Sequence, residues 1–320
     1  MLPPLPSISA LRGSFFFIKM SKVNFSKGAL TYDQQLAQLQ ERGLEVGDFG
    51  KAKHLLEHLS YYRLSGYWHP FLTDIKKDHQ FKAGSSLESA FKIYCFDKHL
   101  RKLIFSEIEK IEVAIRSKLI YEMSHAYGPF WLNNSSLFSR VDKYDRMIRD
   151  LEVTFAKSDE IFITSFRDAY LDDLPPSWII LELVSLGGLS MTFSNLNTAY
   201  EKRIIANHFG LNERVFGKWL HTLTYLRNIC AHHTRLWNRT MGIGGVVLDS
   251  PRIQWLDDPG IRNDKTYYLM SILLFFNQTI NPNNRMVVKF KALLIEFENI
   301  DVAAMGFPAD WRDEPLWSKE

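Results

Sequence analysis

The feature that most constrains this chain is an apolar repeat at helical spacing between Ser85 and about His125. Phe91, Tyr94, Leu100, Leu103, Ile104, Ile108, Ile111, Ile115 and Leu119 recur at helical spacing, the pattern of one apolar face of an α-helix rather than of a strand. Ser85 and Ser86 ahead of Glu88 supply a start signal, and Gly128-Pro129 supplies a stop. Glu107, Glu109, Glu112, Arg116 and Lys118 decorate the run, with Glu112 and Arg116 at pairing distance, and read chiefly as a solvated face. An apolar stripe of this length must be covered by other helices. The expectation is a multi-helix bundle around one long rod.

The flanking segments agree. Thr31 to Arg42 carries Leu36 and Leu39 on one stripe and ends at Gly43, and Asp48 is a plausible cap for a helix through Leu55, Leu56 and Leu59. Residues 140–170 read as one or two helices. Ser177 after Pro175-Pro176 reads as the cap of a helix starting at Trp178, within which Glu182 is a carboxylate in an apolar neighbourhood. Glu182 reads as a buried ion-pair or capping partner rather than a catalytic acid. Gly187-Gly188 suits a close helix crossing, and Asn212 caps the next helix. Residues 242–264 are the least helical stretch, with short strands expected at Gly245-Val246-Val247-Leu248, and helices follow at 265–279 and 283–299. The fold class is all-α, in a single large domain spanning 21–320. Residues 1–20 are Pro-rich and then carry Phe15-Phe16-Phe17-Ile18 without a basic leader or a clear cleavage site, so a poorly ordered extension is preferred over a signal peptide.

Composition excludes several classes. Hydrophobic content of 46% and charge of 23% across 320 residues are globular values. Cys95 and Cys230 are the only cysteines, which argues against a disulfide scaffold and for a reducing, cytoplasmic setting. No membrane span is expected, because Trp178 to Phe193 is too short and contains Glu182.

Charge is concentrated in one place. Between Asn212 and Thr240, Arg214, Lys218, Arg227, Arg235 and Arg239 stand against Glu213 alone, a net +4 in a chain whose total is +3. His221, His232 and His233 lie in the same segment. Cleaving RNA without a metal needs a group that moves a proton near neutral pH and a cation that steadies the phosphate. Histidine and arginine supply these. Arg227 and His232 form Arg-x-x-x-x-His with Asn228 directly after the arginine, and Asn228, four residues before His232, could orient its ring. Five residues on an ideal helix is a rotation of about 140°, so the helix must loosen near His232 or Arg227 must curl round. Spacing alone is weak evidence: Arg203 and His208 repeat it, and Arg214 and His221 nearly do, and both read as chance. A core histidine at 232 is the competing reading. Cys230, His232 and His233 lack zinc-site spacing, and Cys230 reads as a small core residue, so neither a metal nor another cofactor is expected. In the aromatic run Tyr61 to Phe71, a packing knot is preferred over base stacking with Arg63 on phosphate.

The segment Arg227-Asn228-Ile229-Cys230-Ala231-His232-His233-Thr234-Arg235-Leu236-Trp237-Asn238 resembles the signature of bacterial abortive-infection proteins of the Abi-D/Abi-F type, within the HEPN superfamily of helical ribonucleases. Leu59-Ser60-Tyr61-Tyr62-Arg63-Leu64-Ser65-Gly66-Tyr67, Phe96-Asp97-Lys98-His99-Leu100-Arg101, Gly128-Pro129-Phe130-Trp131 and Pro176-Ser177-Trp178 support it, so the resemblance covers about residues 25–300.

The resemblance implies a HEPN-like bundle and a metal-independent RNA endonuclease of phage defence, toxin-like in action, that leaves a 2′,3′-cyclic phosphate. Arg227 and His232 would be the catalytic pair, supported by Asn228, with His233, Arg235, Arg239 and Arg63 as secondary RNA contacts. It further implies a homodimer with a composite site and a small noncoding RNA as antitoxin. The rival reading is a non-catalytic RNA-binding or protein-interaction module on the same scaffold.

Overall fold

The computed structural model describes Asn24, Ser26 and residues 28–74, 79–248, 251–258 and 260–318; the expected extension at 1–20 lies outside them. Twelve α-helices and no strand are present among the described residues. They are α1 (Tyr32–Glu41), α2 (Phe49–Leu59), α3 (Tyr61–Trp68), α4 (Leu87–Tyr127), α5 (Val141–Lys157), α6 (Ile161–Ala169), α7 (Ser177–Ile180), α8 (Leu186–Asn195), α9 (Ala199–His208), α10 (Glu213–Ala231), α11 (Thr266–Ile280) and α12 (Met286–Glu296). No described helix is long and apolar enough to cross a membrane.

The 41 residues of α4 make it the axis of the molecule, about 60 Å long at 1.5 Å per residue. The Ser86 hydroxyl accepts the Ser89 N–H at 3.0 Å and starts it; Gly128, at φ 82°, ends it. Leu100, Ile104, Ile108, Ile111, Ile115 and Leu119 are all buried, each contributing roughly 1.5–3 kcal/mol. Helices α3, α9, α10, α11 and α12 pack along this rod, and α8 crosses α10. At that crossing a Cβ on Gly187 would lie 3.3 Å from the Thr224 methyl. Every residue of α11 from Thr266 to Asn277 is buried, as a helix that is apolar all round requires. The C-terminal tail folds back onto it: Trp317 stacks on Tyr267 at 5.2 Å, and its indole N–H donates to Ser271 at 2.9 Å.

Three local expectations are corrected. Gly245–Leu248 form no strand; the Val246 carbonyl accepts from the Trp219 indole at 2.9 Å and the Tyr268 hydroxyl at 3.0 Å, so side chains of α10 and α11 pin the segment where a ladder partner would sit. Ser177 does not cap α7 but is its first residue, its hydroxyl paired with that of Ser124 at 2.9 Å. Glu182 is half exposed (51%), since it turns outward while Ile180 and Leu181 fill the core, although it does face Arg116 at 3.5 Å.

Candidate functional site

The Asn212 side chain accepts the Val215 N–H at 2.9 Å and starts α10. Val215, Phe216, Trp219, Leu223, Leu226 and Ile229 bury the inner stripe of that helix. Arg227, next to the stripe, is half-buried, and its guanidinium lies 5.8 Å from the centre of the Phe105 ring on α4. There it lines a cleft of about 310 Å³ with Phe105, Glu109, Glu112, Val113 and Arg116. Glu112 is engaged by Arg116 at 2.9 Å. Arg227 makes no ion pair among the described residues, which leaves a cation resting on an aromatic face beside open space.

The helix ends just before the histidine pair. His233 N–H donates to Cys230 O at 3.2 Å and Thr234 N–H to Ile229 O at 3.0 Å, the paired bonds of a Schellman turn with His233 at the left-handed position. Its φ is 56°. Glycine is the usual occupant there, so a side chain is held in a conformation that costs free energy. His232, the residue that closes the helix, is exposed, and its ring makes no hydrogen bond among the described residues. Its link to Asn228 is through the backbone, N–H to carbonyl at 3.0 Å; the Asn228 side chain does not bond to the ring. Because α10 is regular through Ala231, Arg227 and His232 keep their angular separation, and His232 does not line the Arg227 cleft.

The segment beyond the turn is braced from two other helices. Asp97 of α4 is fully buried (0%), and Oδ1 accepts the N–H groups of Leu236 at 3.1 Å and Trp237 at 2.7 Å. Oδ2 accepts the Tyr67 hydroxyl at 2.7 Å and pairs with the Arg101 guanidinium. Burial pushes the Asp97 carboxyl above the usual range, and Arg101, Tyr67 and the two N–H groups pull it back. From α3, Arg63 donates to the His233 carbonyl at 2.8 Å, and Arg235 reaches the Gly66 carbonyl at 2.5 Å. Burial lowers the Arg235 pKa, and Arg239 donates to the Arg235 carbonyl at 3.3 Å. Arg235 and Arg239 are therefore half-buried braces, while Arg63 is exposed and directs one donor to the loop. The aromatic run is mainly a packing knot: Leu64, Tyr67 and Trp68 are buried, while Tyr62 is 89% exposed.

His208 and His221 are exposed. Cys230 is buried as expected, and burial pushes its thiol up to about 12, which unsuits it as nucleophile or metal ligand. Sequence reasoning gives Asp97 and Arg101 no part in the site and Tyr67 only a place in the packing knot. Their signal was a carboxylate and a guanidinium four residues apart on the buried side of a long helix.

These braces join three stretches far apart in sequence, Tyr61–Trp68, Asp97–Arg101 and Arg227–Arg239, into one helix-end platform carrying exposed histidine. Residues 54–238, more than half of the chain, match the family described as Abi-like protein, and the chain belongs to that family. Membership supports a role in abortive infection. No curated protein and no solved structure is significantly similar to the chain.

Proposed function

We propose that the protein is a metal-independent RNA endonuclease of the HEPN type, acting as a toxin-like effector in abortive infection. The observation that carries this is the exposed, unpartnered ring of His232, standing on a helix end that Asp97 and Arg63 hold rigid. A general acid–base must reach the substrate from a defined place on the fold; exposure gives this ring the reach, and the braced backbone on either side gives it the place. Arg227 holds the scissile phosphate, and His232 exchanges a proton with the 2′-hydroxyl or the leaving 5′-oxygen. Asn228 and His233, both exposed beside them, contact RNA along with Arg63.

Arg227 and His232 face different directions within one chain. The complete site is therefore assembled from two copies, with the Arg227 of one beside the His232 of the other in a homodimer. The regulator that fits such a basic platform is a structured small RNA. Attack by the 2′-hydroxyl leaves a 2′,3′-cyclic phosphate and cannot occur on DNA. The test is incubation with end-labelled single-stranded RNA and DNA of the same sequence in EDTA. Cutting of RNA alone, with cyclic phosphate ends, is expected; no cutting, or equal cutting of DNA, overturns the proposal.

A further inference from the structure

The chain carries a second cluster of chemically capable side chains, on α2 and apart from the Arg-His platform. His54 and His58 sit four residues apart, one turn along the same face, with Glu57 between them in sequence. Their ring centres are 4.2 Å apart. One ligand atom from each of His54, Glu57 and His58 lies within 4.8 Å of the others, and all three residues are exposed. We propose that His54, Glu57 and His58 form a surface site for a divalent transition-metal ion, with Zn²⁺ as the representative.

The local chemistry favours this. His58 Nδ1 lies 2.9 Å from the His54 carbonyl oxygen. A carbonyl can only accept, so Nδ1 carries the proton and Nε2 presents its lone pair to solvent. A backbone carbonyl on the far nitrogen is the arrangement that fixes the tautomer and orientation of a metal-ligating imidazole. Two nitrogens bound to one Zn²⁺ at about 2.1 Å stand about 3.4 Å apart in tetrahedral geometry, a closure that exposed side chains reach by small rotations about their own bonds. Two imidazoles and a carboxylate suit zinc, copper and nickel and leave coordination positions open.

The surroundings add negative charge. His54 also lines a cavity of about 580 Å³ between the start of α2 and the start of α4, where Glu45, Asp48 and Glu88 face a single lysine, Lys51. That excess of carboxylates draws a cation toward the cluster.

Zinc titration by calorimetry, on full-length protein first stripped with EDTA and dialysed, tests the site. His125→Ala is the control, because His125 makes the same Nδ1 contact, with the Tyr121 carbonyl at 2.8 Å, but has tyrosine one turn before it. Wild type and His125→Ala are expected to bind one Zn²⁺ tightly. His54→Ala and His58→Ala should each weaken that event by more than about tenfold, and Glu57→Gln by less. All these residues are exposed, so metal-free thermal melts should superimpose and separate loss of binding from loss of fold. Saturable binding unchanged in both histidine variants, or none in wild type, overturns the proposal. RNA cleavage in EDTA reads a separate claim and is unaffected by either result.

Discussion

The carboxylate of Asp97, on α4, accepts the backbone N–H of Trp237 at 2.7 Å, across 140 residues of sequence. Through that bond the central helix sets the position of the segment after His232. Removing the carboxylate strands Arg101, which is 6% exposed, without its partner. Asp97→Ala should destabilise the protein by about 3–5 kcal/mol, whereas replacing both Asp97 and Arg101 by apolar residues should restore only the part due to the stranded guanidinium, because the Leu236 and Trp237 N–H groups stay unpaired. Urea unfolding of the single and double variants checks the prediction. A double variant no more stable than Asp97→Ala would contradict it.

His233 holds φ 56° at the turn closing α10. If this conformation is maintained by the surrounding hydrogen bonds against the preference of the side chain, His233→Gly should raise stability by about 1 kcal/mol. A higher melting temperature with reduced RNA binding would show strain retained for function; a lower melting temperature would contradict the assignment.

Cys230 is expected to govern part of the alkaline stability. Its thiol is pushed by burial from 9.0 to about 12 in the folded protein, so the unfolded chain loses the proton first. The contribution is therefore complete below pH 9 and is lost as pH rises toward 12, at up to about 1.4 kcal/mol per pH unit. Burial raises Tyr67 and Tyr267 in the same direction. Melting temperature against pH should accordingly fall less steeply above pH 9 in Cys230→Ala than in wild type. Parallel profiles would contradict this.

A site built from two chains predicts complementation. Arg227→Ala and His232→Ala homodimers should each be inactive. Mixed after reversible dissociation, they should form heterodimers with one intact site and recover roughly a quarter of wild-type activity. An inactive mixture that nevertheless contains heterodimers would place Arg227 and His232 in one chain's site.

Much of the fold was written locally. Asn212, Asp48 and Ser86 announce their helices because a cap acts on an N–H three residues away. The long stripe of α4 needs no tertiary information, and the Arg227–His232 motif is visible as a sequence string. The support beneath it is not, since Asp97 meets Leu236 and Arg63 meets His233 only after the bundle closes. The end of α10 lacked its usual glycine signal, so the Schellman turn at His233 could not be read ahead. Gly245–Leu248 has strand-like composition but is claimed by Trp219 and Tyr268, residues distant in sequence. The outward turn of Glu182 likewise depends on tertiary packing, which gives the buried positions to Ile180 and Leu181.

The proposed chemistry has His232 move a proton while Arg227 steadies the phosphate. Its most direct measurement is the rate of single-stranded RNA cleavage in EDTA by wild type, Arg227→Ala and His232→Ala, each shown to be folded. A loss of about 10²–10⁴-fold is expected for His232→Ala, with a comparable collapse for Arg227→Ala. Cleavage by His232→Ala at the wild-type rate would contradict it.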